Sequence, residues 1–141
     1  MEEHNHSEHQ HEESQEIAFK ASLIERHMQE ISEKLDYVSQ QLSELEEFHG
    51  NMKFIKDSKG KELFAPLGRG IYVKSSSQEN NLFVNVGAGV IVKKTQEETS
   101  KIIENQIKSF HEAKTSLMGQ LEIYQNLLSQ ALAQIERLKK S

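Results

Sequence analysis

The sequence predicts a mainly α-helical chain with a small β module: a long antiparallel coiled-coil hairpin whose two helices are separated by two tandem β-hairpins. Three observations carry this. Before residue 57 and after residue 95, apolar residues recur in steps of three and four, the spacing of a helix with one buried seam. Between these stretches the period shortens to that of strands. Within the middle stretch, LGRGIYVK (67–74) is echoed nineteen residues later by VGAGVIVK (86–93).

The first seam reads Ile17, Ala21, Ile24, Met28, Ile31, Leu35, Val38, Leu42 and Leu45. Its steps alternate between four and three without a fault, as in a heptad repeat that faces another helix. Gly50 weakens the pattern, yet Phe48, Met52 and Ile55 continue a helical stripe. The helix is therefore expected to occupy residues 14–57 and to stop near Asp57, where DSKGK supplies turn residues. Ahead of it, residues 1–13 (MEEHNHSEHQHEE) hold one apolar residue, Met1, and are expected to be disordered.

The second helix is expected over residues 95–141. Its seam is Ile103, Ile107, Phe110, Leu117, Leu121, Tyr124, Leu128, Ala131, Ile135 and Leu138, with Lys114 as the polar intruder. Thr95 is a candidate N-cap, and Glu97 and Glu98 suit the positive end of the helix dipole as Lys139 and Lys140 suit the other. At 1.5 Å per residue both helices would measure about 65 Å, so they match as partners of one hairpin.

Residues 58–94 carry ELFAPL, GIYVK, NLFVNV and VIVKK, rich in β-branched and aromatic residues and divided by Gly or by the polar loop SSSQEN. GRG and GAG sit where tight hairpin connections need positive φ. Two small hairpins cannot bury their apolar faces alone, and their open edges would invite pairing. This segment therefore reads as an assembly platform, with Leu67, Gly68, Gly70, Val73, Val84, Val86, Gly87, Gly89 and Val92 as its contact residues. Pro66, which donates no ladder hydrogen bond, belongs at an edge or bulge.

Composition removes several function classes. The chain has no Cys and no Trp, which excludes thiol chemistry and a disulfide scaffold. The net charge of -5 belongs to a tail: residues 1–16 hold six Glu and no Lys or Arg, leaving 16 acids against 17 bases elsewhere. No basic stripe suggests nucleic acid, and no apolar run approaches the roughly 20 residues of a membrane span. With a start unlike a signal peptide, a soluble cytoplasmic protein without nucleic-acid or membrane partners is expected. GAGVIV is not a phosphate loop, because a strand follows it rather than a helix. No Ser-His-Asp order or HExxH motif appears, so neither an enzyme nor a cofactor is expected. His27, His49 and His111 read as isolated, solvated residues. His4, His6, His9 and His11 could bring several imidazoles to one metal ion, but no fixed ligand geometry is implied and no metal site is assigned.

A long helix, a β module containing PLGRGIYV and VNVGAGVIV, and a second long helix resemble the archaeal alpha-class subunit of the prefoldin family. The likeness spans about residues 15–140 and is most specific from Leu63 to Lys93. It implies a hexamer of two alpha-type with four beta-type subunits, joined through the hairpins. It further implies ATP-independent capture of unfolded client proteins at coiled-coil tips and their delivery to a group II chaperonin. The His-rich tail departs from that pattern.

In such a hairpin the helix ends remote from the β module should display apolar residues off the seam. Phe19 and Leu23 lie off the first seam; Ile123, Leu127 and Leu132 lie off the second. Setting residue 56 opposite 96 brings Phe19 near Ala133 and Leu23 near Ser129. Exposed apolar clusters mark interaction sites, so Ile17, Phe19, Leu23, Leu127, Leu132 and Ile135 form the expected client-binding region. The competing reading is a structural coiled-coil oligomerisation scaffold without clients.

Overall fold

The computed structural model describes residues 2–140, with side chains from residue 7 onward. Helix α1 (Glu2–Asn51) is followed by a 3-10 turn (Met52–Phe54), four strands and helix α2 (Gln96–Lys140). The strands are β1 (Glu62–Gly68), β2 (Ile71–Ser76), β3 (Leu82–Gly87) and β4 (Val90–Lys94). They form two separate antiparallel hairpins, β1 with β2 and β3 with β4. The chain divides into two units, Met1–Gln40 with Phe110–Ser141, and Gln41–Ser109.

Helix α1 differs from its expected bounds at both ends. Its backbone is helical from Glu2 rather than from Ser14. Low apolar content removes a reason to pack but not a reason to coil: no Pro or Gly interrupts residues 2–49, and Glu and Gln are good helix formers. Gln15 and His11, one turn apart, add a side-chain hydrogen bond of 3.3 Å. At the other end the α-helix stops at Asn51, just past Gly50, and the 3-10 turn keeps Met52 buried on the continuing stripe. The reversal falls at Asp57, whose φ of 57° enters the left-handed region that Asp tolerates better than most residues.

In the first unit α1 and α2 run antiparallel, with Ile17, Ala21, Ile31 and Val38 buried along the seam of α1. The ring of His27 stacks on Tyr124 with centroids 5.4 Å apart, which sets the register within one residue of the sequence expectation. His27 is thus engaged across the pair rather than isolated, and it also approaches Glu30 at 3.7 Å. Toward the start of α1 the same stripe becomes polar: Gln10 and Ser14 are half-buried, and Ser7, Gln10, His11 and Ser14 line one groove with Leu138 and Lys139.

In the second unit the two hairpins repeat one another in backbone as well as in sequence. Gly68, Arg69 and Gly70 have φ of 119°, 52° and 76°; Gly87, Ala88 and Gly89 have 120°, 51° and 76°. Positive φ at both central residues is the signature of a type I′ turn, whose twist suits hairpin strands. In each hairpin the register shifts by one residue just before the turn, between Pro66 and Gly68 and between Asn85 and Gly87. Pro66 therefore sits beside a bulge, in a strand with an open edge. A Cβ at Gly68 or Gly87 would meet nothing within 4 Å, so the demand for glycine is conformational. Gly68→Ala and Gly87→Ala are each expected to cost about 1–3 kcal/mol. Faster amide exchange in the strands would record this loss, and unchanged exchange would contradict it.

The start of α2 is a capping box. Thr95 Oγ1 accepts from the Glu98 N–H at 3.1 Å, and a Glu98 carboxylate oxygen accepts from the Thr95 N–H at 3.2 Å. The Thr95 N–H on the carboxylate first, and the Thr95 hydroxyl beside it second, hold the Glu98 carboxyl below its ordinary pKa. A depressed carboxylate pKa contributes stability that is complete above the unfolded value and is lost as pH falls through the folded one. Acid is therefore expected to fray this helix start, and Thr95→Ala, which removes the hydroxyl and keeps the N–H, to move the Glu98 titration, followed by NMR, part of the way toward that of a free glutamate. A titration unmoved by the substitution would contradict the assignment.

Candidate functional site

Two surfaces stand out, one in each unit. On the hairpins, cross-strand pairs assign the faces, since residues two apart in a strand share one. Leu63, Ala65 and Val73 share a face of the first hairpin; Leu82, Val84 and Val92 share the equivalent face of the second, with Val84 directly opposite Val92. The reverse faces carry Phe64 and Tyr72, and Phe83 and Ile91. Leu63, Phe64, Leu67, Ile71, Tyr72, Val73, Phe83, Val86, Val90 and Ile91 are all exposed, whereas Val84 and Val92 are half-buried.

The reverse faces are edged with charge. Lys74 pairs with Glu62 at 3.2 Å beside Phe64, and Lys93 pairs with Glu79 at 3.0 Å while its Nζ lies 5.9 Å from the centre of the Phe83 ring. Aromatic and lysine recur at the same repeat positions. One face of each hairpin is therefore aliphatic and the other amphipathic.

The connections around the hairpins are fixed by polar bonds that sequence reasoning missed. The Gln96 side-chain amide donates to the carbonyls of Ile55 at 2.9 Å and Asn80 at 3.3 Å. Asn80 Oδ1 accepts from the Lys59 N–H at 2.9 Å, and Ser58, buried, faces the Ser77 hydroxyl at 3.4 Å. The polar loop between the hairpins is thus tied to the segment that enters β1. Nearby, His49 Nε2 meets Glu104 Oε1 and Ser100 Oγ, each at 3.2 Å, so this histidine bridges α1 to α2 instead of standing alone in solvent. No sequence signal marks Gln96 or His49, because each acts through a backbone or helix that only the fold brings near.

In the first unit the side chains expected to form a binding region separate into two kinds. Phe19 is 66% exposed and Leu132 51%, and Leu23 and Leu127 are also open, but Ile17 is only 8% exposed and Ile135 is half-buried in the seam. The helix register places Phe19 level with Leu132, and Leu23 level with Leu127 and Leu128. At 100° per residue, Phe19 points away from the seam while Leu127 and Leu132 flank it on opposite sides. They share one end of the helix pair without sharing one face. Ile123, one turn from Leu127, and Met118 are exposed as well. Met118 was legible in principle, since it lies next to seam residue Leu117.

Among the described residues no group of three or more His, Cys, Asp or Glu could hold a metal ion. The side chains of His4 and His6 lie outside the described residues. No helix among the described residues is long and apolar enough to cross a membrane.

The prefoldin family, described as prefoldin subunit, matches residues 19–141. A filamentous PFD from Methanocaldococcus jannaschii, solved by cryo-EM, is similar in structure with a TM-score of 0.68 at 17% identity, over 85% of this chain and 98% of that one. No curated protein sequence matches. Two long helices flanking two antiparallel hairpins are the fold shared with that structure, and the family match covers the first seam from Ala21 onward, the whole second seam and the whole repeat: the chain belongs to the prefoldin family.

Proposed function

We propose that this prefoldin subunit is of the alpha class and works as an ATP-independent chaperone in a hexamer of two alpha-type with four beta-type subunits. It captures non-native proteins at the end of the helix pair where α1 begins and α2 finishes. It then delivers them to a group II chaperonin in the cytoplasm. The observation that carries this reading is the pair of repeat hairpins whose apolar faces are uncovered in the single chain. Such faces are stable in water only when other strands cover them.

Phe19, Leu23, Leu127 and Leu132 support the capture step, because open apolar side chains bind unfolded chains without requiring a sequence. Each contact would bury on the order of 100 Å², worth a few kcal/mol at most at about 25 cal/mol per Å². Several subunits acting together then hold a client firmly while each contact stays reversible. Ile17 and Ile135 join only where the end of the seam opens, and its polar start at Gln10 and Ser14 makes that end the easiest to open. The test is light scattering from a chemically denatured client diluted into the assembled protein without nucleotide. Suppressed aggregation is expected; aggregation at the client's own rate would refute capture.

A second reading is a structural scaffold that polymerises with copies of itself. It is favoured by the near-identical turns of the two hairpins, which make one hairpin a stand-in for the other, and by the filamentous state of the similar PFD. A heterologous contact of this kind, the first hairpin of one copy on the second hairpin of the next, grows into an open filament when its rotation does not close a ring.

A further inference from the structure

On the outer face of α1, Glu12, Glu16, Phe19 and Leu23 follow one another in steps of four, three and four, so they form a single stripe about 16 Å long. Glu12, Glu13 and Glu16 line the same shallow groove as Phe19, with Lys20 its only Lys or Arg. All three carboxylates are exposed, and no cation among the described residues lies within ion-pair distance of them. Lys139, near the end of α2, lines a different groove, with His11 and Ser14. An open aromatic anchor is thus followed, along one face, by unpaired negative charge.

We propose that this stripe makes capture selective for basic clients, that is, unfolded segments in which Lys or Arg alternates with apolar residues. The inference rests on the capture reading above and adds the client's charge. Apolar contact alone ranks clients by their apolar content. Adjacent carboxylates attract a cationic segment from a distance and repel an anionic one of equal hydrophobicity. Neither Phe19 nor the glutamates suffice separately, since the aromatic supplies attachment and the charges supply discrimination.

The test uses the assembled protein and two unfolded synthetic peptides of equal length and equal Leu and Phe content, one lysine-rich and one glutamate-rich. At low ionic strength the lysine-rich peptide is expected to bind on the order of tenfold more tightly, a size three exposed charge pairs can reach together. The preference should vanish at about 1 M salt, where the screening length is about 3 Å. In the variant Glu12→Gln, Glu13→Gln, Glu16→Gln, whose helicity is checked by circular dichroism, the two peptides should bind alike. Phe19→Ser should weaken both. Equal binding by the unaltered protein, a preference that survives salt, or one that survives the triple substitution would overturn the selectivity and leave capture standing. If neither peptide binds, capture itself fails and the inference falls with it.

Discussion

Val84→Asp, and separately Val92→Asp, is expected to abolish assembly while leaving the helices folded. These residues are direct cross-strand partners on the aliphatic face of the second hairpin, and they are half-buried even in the single chain. Covering that face with a partner's strands would place an unpaired carboxylate in an apolar layer. The variant loses about 1.5–3 kcal/mol of valine burial and adds several kcal/mol for desolvating the charge. At about 1.4 kcal/mol per tenfold, subunit affinity should fall at least a thousandfold. Size-exclusion chromatography with light scattering reads the result, with circular dichroism confirming helix content. Normal complexes from both variants would refute the placement of the interface.

Replacing Phe19, Leu23, Leu127 and Leu132 together with Ser should have the opposite profile. All four are exposed, so the seam of Ile17, Ala21, Ile31 and Val38 is untouched and assembly is expected to proceed. Suppression of client aggregation should fall severalfold, because each subunit loses four apolar contacts that act in concert. Undiminished suppression by an intact mutant complex would move the client site elsewhere, with Ile123 and Met118 the next residues to replace.

The contrast between these surfaces follows from what periodicity encodes. The seams were legible because burial against one partner repeats every three or four residues, and the hairpins because GRG and GAG mark turns that need positive φ. The exposure of apolar side chains on the hairpins was legible in the same strands, since their apolar residues exceed what two strands can bury. The helix begins ahead of Ser14 for a physical reason: apolar content governs packing, whereas backbone coiling at residues 2–13 needs only helix-tolerant side chains. His27 and His49 were misread because each partner, Tyr124 and Glu104, lies on the other helix. Gln96 was invisible because its acceptors are backbone carbonyls, which no residue type advertises. For the open residues of the first unit, the sequence located the end of the helix pair but not the faces. The register puts Phe19 and Leu132 level, yet rotation separates them.

The grouping of the charges adds a second layer. The acids in residues 1–16 precede the family match, which begins at Phe19. The stripe from Glu12 to Leu23 thus joins a segment outside the matched region to apolar residues within it. On the proposed reading that segment bears on client choice, whereas the hairpins bear on assembly.

The claim on which the rest depends is that the repeat hairpins are completed by other subunits. Native mass spectrometry of the chain isolated gently from its own cells tests this most directly. Two copies with four of a smaller helical subunit is the predicted mass. A lone monomer, with its apolar hairpin faces stable in water, would contradict the account, and a ladder of homo-oligomers would replace the hexamer with the self-assembling scaffold.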